Sequence, residues 1–225
     1  MVARRDLHLE VELTPRPACV LFDCDGTLVD SELLGNVALA QELGLAGIVE
    51  TGESLTERFR GHKLADMLAT LQAAHAVALP DGFVDRYRAR AAAMFETGVQ
   101  RMPGVAEALE RLGLPMCIVS NGPIAKIRQS LRVAGLAGHF GERLFSAYEV
   151  GSWKPDPGLF LHAAHAMGVE PAQCVVVDDS ATGVEAARRA GMRALWYLPH
   201  GAPAEIPPHA TAFSHMDRLA DLIGR

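Results

Sequence analysis

Short apolar runs alternate with amphipathic segments along most of this chain. Five runs rich in Val, Ile, Leu and Cys end at turn-forming residues, which favours buried strands. The predicted strands span residues 18–22, 115–119, 144–146, 174–177 and 194–198. Segments with apolar residues three or four positions apart follow the second, third and fourth strands, and this spacing is typical of helices. Strands that alternate with helices predict a parallel sheet covered by helices on both faces.

Proline and glycine mark the ends of the helices predicted in this part of the chain. Pro103 and Pro123 suit a first helical turn, and Gly168 and Gly191 suit the position after a last turn. The predicted helices span residues 102–112, 123–133, 156–167 and 181–190.

The stretch from residue 33 to residue 99 departs from this rhythm, because its pattern is helical and contains no predicted strand. Ser31 is expected to cap the first of its helices, which Gly44 ends. The predicted helices of this stretch span residues 32–43, 63–78 and 83–95. We therefore expect an α/β core made of residues 1–32 and 100–225, with an inserted helical cap at 33–99.

The first 16 residues alternate between apolar and polar side chains before Pro15 and Pro17 interrupt the pattern. This alternation predicts an extra edge strand or a loosely attached arm. The same segment has no apolar stretch of the kind found in signal peptides, and no run in the chain approaches the roughly 18 apolar residues of a membrane helix. We therefore expect a cytoplasmic protein that binds no membrane.

The composition narrows the choice of partners. The net charge is −6, which argues against a general nucleic-acid or membrane-surface binder. An anionic substrate stays compatible with this charge, because a bound metal ion reverses the sign locally. The four cysteines form no C-x-x-C pair and are expected to be buried, unpaired thiols.

Polar residues follow three of the most apolar strands directly. These residues are Asp23 and Asp25, Ser120 and Asn121, and Asp178 and Asp179. Parallel strands point the same way, so all three sets are expected at one edge of the sheet, where ligands bind in such folds. Asp, Ser and Asn are also common turn and cap residues, which is the alternative interpretation of each set alone.

A lysine adds a positive charge to this acidic set. Only three of the 21 lysines and arginines are lysines: Lys63, Lys126 and Lys154. Lys154 lies in the Pro-rich run Ser152-Trp-Lys-Pro-Asp-Pro157, which restrains its backbone. We interpret it as a candidate functional lysine, with a solvated surface lysine as the alternative.

Four motifs together resemble the haloacid dehalogenase superfamily, in its phosphatase and phosphomutase branch. The run Asp23-Cys-Asp-Gly-Thr-Leu28 is similar to the first motif, D-x-D-G-T-L. Ser120 resembles the Ser or Thr of the second motif, Lys154-Pro-Asp-Pro157 the third, and Val176-Val-Asp-Asp-Ser180 with Gly183 the fourth. The resemblance covers residues 18–198. It implies a Rossmann-like sheet core with an inserted helical cap.

The resemblance also implies catalytic roles. Asp23 would be the nucleophile that forms an aspartyl-phosphate, and Asp25 the general acid and base, with a pKa raised when the cap closes. Lys154 and the Ser120 hydroxyl would bind the phosphoryl oxygens.

A metal site is implied by the same resemblance. Mg²⁺ would be held by the carboxylates of Asp23 and Asp179 and by the main-chain carbonyl of Asp25. Asp178 would lie beside the ion without binding it directly.

Substrate-binding residues follow from the resemblance too. Asn121 would add a donor. Thr27 is grouped with the substrate-binding residues and would order the first loop through its hydroxyl, with a purely structural role in the turn as the alternative. In the cap, Arg58-Phe-Arg-Gly-His-Lys63 resembles a specificity loop, and His62 or Lys63 would contact the anionic or hydroxylated end of a substrate. The alternative for this run is a solvated charge patch.

The function implied is Mg²⁺-dependent hydrolysis of a small phosphomonoester, a sugar phosphate or a sugar-acid phosphate such as 6-phosphogluconate. A hexose-phosphate mutase is the main alternative, and a non-catalytic binding protein is a third. A dehalogenase needs no acid two residues after its nucleophile, so Asp25 argues against that activity. The oligomeric state is left open by the sequence.

Overall fold

The structure, a computed structural model, describes residues 17–59, 62–199, 201 and 205–224. The strand or arm predicted within residues 1–16 lies outside this range. The strands are β1 (Cys19–Phe22), β2 (Val29–Asp30), β3 (Gln100–Arg101), β4 (Met116–Ser120), β5 (Leu144–Ser146), β6 (Cys174–Asp178), β7 (Arg193–Tyr197) and β8 (Ala210–Phe213). The helices are α1 (Glu32–Leu45), α2 (Gly52–Phe59), α3 (Leu64–His75), α4 (Phe83–Gly98), α5 (Val105–Leu112), α6 (Ile124–Val133), α7 (Ala137–Phe140), α8 (Ala147–Val150), α9 (Gly158–Met167), α10 (Ala181–Arg189) and α11 (Leu219–Ile223).

Six strands form one parallel sheet in the order β5-β4-β1-β6-β7-β8. β1 lies between β4 and β6, with Val20 opposite Met116 on one side and Val175 on the other. All five predicted strands are present within one residue of their predicted bounds. The predicted α/β class with a Rossmann-like parallel sheet is therefore confirmed.

Both faces of the sheet are covered, because alternate residues of the apolar strands point to opposite sides. Val20 and Phe22 belong to a cluster with residues of α5, α6 and α11, whereas Cys19 and Leu21 belong to a cluster with residues of α9 and α10. The four cysteines are buried and unpaired, as predicted. This double burial explains the nearly continuous apolar character of β1, β4 and β6.

Helices α1 to α4 follow β2 and precede β3 in the chain, and these two strands pair as a short antiparallel ribbon. Their own cluster includes Leu43, Leu55, Leu71 and Phe83. α1 and α4 also reach the larger core, through Ala38 and through Ala91 and Phe95. The division into a core and a separate cap at residues 33–99 remains a prediction.

Ser31 occupies the N-cap position of α1, but the predicted side-chain cap is not formed. Ser31 precedes the helix, but its hydroxyl forms no cap hydrogen bond and donates instead to the Asp25 carboxylate. An ionised carboxylate is a strong acceptor, so the hydroxyl of the buried Ser31 turns toward Asp25. Among the described residues, no helix is long and apolar enough to cross a membrane.

Candidate active site

Asp23 lies at the carboxyl end of β1, at the edge where the ends of β4 and β6 also meet. Its main-chain N–H donates to the carbonyl of Val177 at 2.9 Å, which continues the sheet pairing to the first residue of the loop. Three carboxylates, those of Asp23, Asp178 and Asp179, each place one oxygen within 4.8 Å of the others. The strand ends therefore bring together the acidic residues that the sequence predicts at one edge.

Lys154 joins two of these carboxylates. Its Nζ lies 2.7 Å from Asp23 Oδ1 and 2.7 Å from Asp178 Oδ2, and the lysine is only 4% exposed. The two anions raise the pKa of the lysine above its ordinary value, although burial alone would lower it. Lys154 therefore remains protonated and places a positive charge next to the oxygen of Asp23.

Burial and the crowding of carboxylates raise the pKa values of the acids. Burial raises the pKa of Asp23 to about 7; Lys154 opposes this rise, and Asp178 and Asp25 add to it. The pKa of Asp179 is also raised, first by burial and then by Asp23 and Asp178. One ammonium group does not neutralise three clustered carboxylates, and a divalent cation would complete the charge balance.

The metal prediction agrees with this donor set. Asp179 accepts a hydrogen bond from the Thr27 hydroxyl at 3.1 Å, which fixes the carboxylate at the loop. Asp178 is engaged on both oxygens, because Lys154 binds Oδ2 while the main chain and hydroxyl of Ser180 bind Oδ1. Carboxylate oxygens are ligands that hard divalent cations prefer. The assignment of Asp23, Asp179 and the Asp25 carbonyl as ligands, with Asp178 beside them, remains a prediction.

Asp25 turns away from this cluster and faces a second lysine. Lys126 Nζ lies 2.8 Å from Asp25 Oδ1, and the Ser31 hydroxyl binds the same oxygen. Burial raises the pKa of Asp25, but Lys126 and Ser31 lower it by more, so the pKa lies below its ordinary value. This lowered pKa differs from the raised pKa expected for a general acid, because Lys126 contacts Asp25, a contact that was not predicted from the sequence.

The second motif positions the lysine loop. Asn121 accepts from the Lys154 main-chain N–H at 2.9 Å and donates to its carbonyl at 3.4 Å. The Ser120 hydroxyl accepts from the Gly122 N–H at 3.0 Å, and both Ser120 and Asn121 line the same cavity as Asp23. Asn121 thus holds Lys154 in place, and direct substrate contact by Ser120 and Asn121 remains a prediction.

The predicted substrate-binding residues fall into two groups. His62 and Lys63 line the cavity together with Asp23, Asp25 and Lys154, so the cap loop does face the sheet edge. Thr27 is fully buried and does not line the cavity, and its hydroxyl binds Asp179 instead. Of the two roles considered for Thr27, its position fits the ordering of the first loop.

The cavity has a volume of about 430 Å³, enough for a phosphorylated sugar, and takes its walls from both the sheet edge and helices α1 to α4. Sequence reasoning missed Tyr87, Arg88, Lys126 and Trp153 as lining residues. The scarcity of lysine was a usable signal, because all three lysines of the chain line this one cavity.

Comparisons with known proteins agree with the geometry. A family model described as haloacid dehalogenase-like hydrolase matches residues 17–191. The 6-phosphogluconate phosphatase of Escherichia coli K12 is 37% identical over 92% of this chain and 95% of its own length. Hexitol phosphatase B of the same organism is 30% identical over 94% and 97%.

A solved structure shows the same overall arrangement. A hydrolase of this family from Deinococcus radiodurans R1, determined with bound phosphate and sodium, aligns with a TM-score of 0.72 and 32% identity over 92% of this chain and 95% of that one. The family-model match covers more than half of the chain, and the relatives extend it to nearly the full length. The chain is therefore a member of the haloacid dehalogenase-like hydrolase family.

Proposed function

We propose that this hydrolase is a phosphomonoesterase that acts on small sugar phosphates through an aspartyl-phosphate intermediate. The observation that carries the proposal is the contact of Lys154 with Asp23 at 2.7 Å inside a cavity of about 430 Å³. A buried ammonium beside a nucleophilic carboxylate binds the oxygens of an incoming phosphoryl group, where charge develops during transfer. The related phosphatases act on phosphorylated sugars and sugar derivatives, as their names state.

The proposed sequence of steps uses this chain's own residues. Asp23 attacks phosphorus and displaces the alcohol oxygen, while Lys154 and Ser120 bind the phosphoryl oxygens. Asp25 gives a proton to the leaving oxygen and then takes one from the water that hydrolyses the aspartyl-phosphate. Asp23, Asp179 and the Asp25 main-chain carbonyl would hold a divalent cation, for which we propose Mg²⁺, and its charge would reduce the repulsion between the carboxylate and the phosphate.

Asp25 must be free of its tight contacts to act as an acid. Lys126 and Ser31 hold it as a carboxylate in this structure. We propose that substrate entry draws Lys126 away, because a phosphomonoester in this cavity adds negative charge that competes for the lysine. The loss of this partner raises the pKa of Asp25 toward the range that proton donation requires.

Phosphate release with Mg²⁺ tests the proposal directly. Purified protein is expected to release phosphate from members of a panel that includes 6-phosphogluconate, fructose 1-phosphate and glucose 1-phosphate. Asp23→Asn should reduce the rate by more than about 10³-fold, because an amide is a poor nucleophile. Asp66→Asn makes the same change at an exposed position of α3 and should leave the rate within about twofold. Wild-type rates in Asp23→Asn would contradict the assignment.

The mutase alternative uses the same groups and differs in the acceptor. A mutase passes the phosphoryl group to a second sugar hydroxyl, so it forms glucose 6-phosphate from β-glucose 1-phosphate. A phosphatase releases inorganic phosphate and glucose from the same substrate. Product analysis in this single reaction therefore separates the two activities.

A further inference from the structure

The cap side of the cavity carries positive charge that the proposed phosphoryl chemistry does not use. Lys63 and Arg88 line the cavity on this side, whereas Lys126 of α6 lines it from the core. Lys126 pairs with Asp25, whereas Lys63 and Arg88 have aromatic partners and no carboxylate partner among the described residues. Two cations in one cavity, with no carboxylate partner in the described part of the chain, favour a ligand with negative charge at this end.

One aromatic pair holds both of these cations. Lys63 Nζ lies 5.0 Å from the centre of the Trp153 ring, and the guanidinium carbon of Arg88 lies 5.5 Å from the centre of the Tyr148 ring. The two rings pack edge to face, with centres 5.6 Å apart. An aromatic face orients a cation without neutralising it, so both side chains are positioned while their charges remain available.

A neutral donor lies next to these charges. The hydroxyl of Tyr87 has no hydrogen-bond partner among the described residues, and it lies near Gly35, where an added Cβ would be 3.8 Å away. Lys126, Asp25 and Arg88 are the charged groups that act on it most strongly, while burial raises its pKa. The phenol therefore stays protonated, and its hydroxyl can donate to an anion in the cavity.

The acidic residues of the cavity do not cancel this charge. Asp23 and Asp179 belong to the proposed metal site, Asp25 is paired with Lys126, and Glu32 already has an interaction partner. We propose that Lys63, Arg88 and Tyr87 form a subsite for a second anionic group of the substrate, a carboxylate or a further phosphate. The inference rests on the proposed function and names its substrate class: phosphomonoesters whose alcohol portion carries its own negative charge.

Three substrates distinguish the possible sources of this charge. 6-Phosphogluconate carries a carboxylate, glucose 1,6-bisphosphate a second phosphate, and glucose 6-phosphate no second anion. The wild-type protein is expected to prefer one of the two doubly anionic substrates over glucose 6-phosphate, and the preferred one identifies the group. Arg88→Met and Lys63→Met should each lower kcat/KM for that substrate roughly tenfold more than they lower it for glucose 6-phosphate, mainly through KM.

A matched control comes from the same helix. Arg86 contacts Glu42 and does not line the cavity, so Arg86→Met removes an equal charge without touching the proposed subsite. It should leave the preference among the three substrates unchanged. Tyr87→Phe should reduce the same preference by a smaller factor, because it removes one neutral donor.

The outcomes separate this inference from the function on which it rests. Hydrolysis of all three substrates with equal losses in Arg88→Met and Lys63→Met would overturn the subsite and leave the phosphatase in place. A wild-type preference for glucose 6-phosphate would overturn it as well. A wild-type protein that releases phosphate from no substrate of either panel would overturn the proposed function, and the subsite with it.

Discussion

At the scale of single residues, the surroundings of Asp23 disfavour the ionised form of its carboxyl group. The residue is 9% exposed, and its carboxylate lies with two other acids and has one ammonium as its direct partner. Its raised pKa of about 7 is a consequence of this arrangement, with burial as the main cause. The metal-free site therefore takes up a proton near neutral pH, and a cation that binds there would release it.

The raised pKa predicts how stability depends on pH. Between about pH 4 and pH 7 the folded protein keeps a proton on Asp23 that the unfolded chain has lost. Stability of the metal-free protein should therefore fall as pH rises through about 7. Asp23→Asn removes this proton uptake and also removes the charge by which Asp23 raises the pKa of Asp179, so comparison with this variant measures the joint contribution of the two acids.

In EDTA, the Tm of the wild type is expected to fall relative to that of Asp23→Asn by roughly 3–6 °C between pH 5.5 and pH 8.5. Differential scanning fluorimetry at matched ionic strength measures both curves. Parallel curves would show that Asp23 does not titrate in this range.

Asp25 predicts a dependence on the leaving group. A sugar alkoxide needs a proton when it departs, whereas p-nitrophenolate does not. Asp25→Asn should therefore slow the single-turnover phosphorylation step about 10²–10⁴-fold with a sugar phosphate and much less with p-nitrophenyl phosphate. Equal slowing of this step with both substrates would argue against an acid role for Asp25.

At the scale of elements, the loop after β1 depends on a close approach between its backbone and Asp179. Gly26 has φ of +80°, and a Cβ added there would lie 2.3 Å from Asp179 Oδ2. Gly183 gives similar room at the start of α10, where a Cβ would lie 1.9 Å from Asp178 Oδ2. Both glycines allow the main chain to pack directly against the acidic cluster.

Two alanine substitutions separate backbone strain from this steric effect. Gly47 has φ of +85° and no atom within 4 Å of an added Cβ, so Gly47→Ala should cost about 1 kcal/mol of stability and leave activity intact. Gly26→Ala should cause the same strain and should also displace Asp179. Phosphatase activity should then fall by at least about tenfold, and Mg²⁺ should bind more weakly. Chemical unfolding and Mg²⁺ titration of both variants check this. Equal behaviour of the two variants would contradict it.

The elements that could be predicted most readily from the sequence are those in which every residue is buried. β1, β4 and β6 are buried on both faces, so their residues are apolar without a break. β8 was missed because it is an edge strand with half-exposed residues, Ala210-Thr-Ala-Phe213. α2 spans only eight residues, begins at a glycine and has two large buried apolar residues, Leu55 and Phe59. The β2–β3 ribbon has only two residues per strand, so both elements are too short for a firm prediction from sequence.

Within the site, too, some contacts could be predicted from the sequence and others could not. Residues at strand ends could be placed together because parallel strands share one direction, and Asp23, Asp178 and Asp179 do meet. Lys126 and Ser31 could not be placed on Asp25, because helix spacing gives no information about which distant loop a first helical turn faces. The partner of the Thr27 hydroxyl could not be predicted either, because only three-dimensional packing brings this side chain to Asp179.

At the scale of the whole molecule, the helical insertion shares apolar contacts with the sheet core while keeping a cluster of its own. Leu71 is fully buried in that separate cluster, and Phe95 is buried in the larger core. A cap that closes over a substrate has to change its position without losing either cluster. The insertion is thus joined to the core through α1 and α4, and its inner packing lies in α2, α3 and the outer halves of those two helices.

Leu71→Ala tests this division. Loss of a fully buried leucine should cost about 2–5 kcal/mol of unfolding free energy. If the cap is a separate unit, the loss should raise KM for sugar phosphates while hydrolysis of p-nitrophenyl phosphate falls by less than about threefold. Leu195→Ala, at a fully buried position of the sheet core, should instead reduce hydrolysis of both substrates. Proportional losses for both substrates in both variants would show that insertion and core unfold as one unit.

The confinement of every lysine to one cavity makes the chain suitable for chemoselective labelling. Apart from the α-amino group, the only primary amines are Lys63, Lys126 and Lys154, and the last two are held in ion pairs. An amine-directed acylating reagent modifies many surface lysines in most proteins. Here Lys63 should be the main lysine that it modifies. Bound substrate should protect that amine, so mass spectrometry of the adduct would report occupancy of the cavity without any turnover.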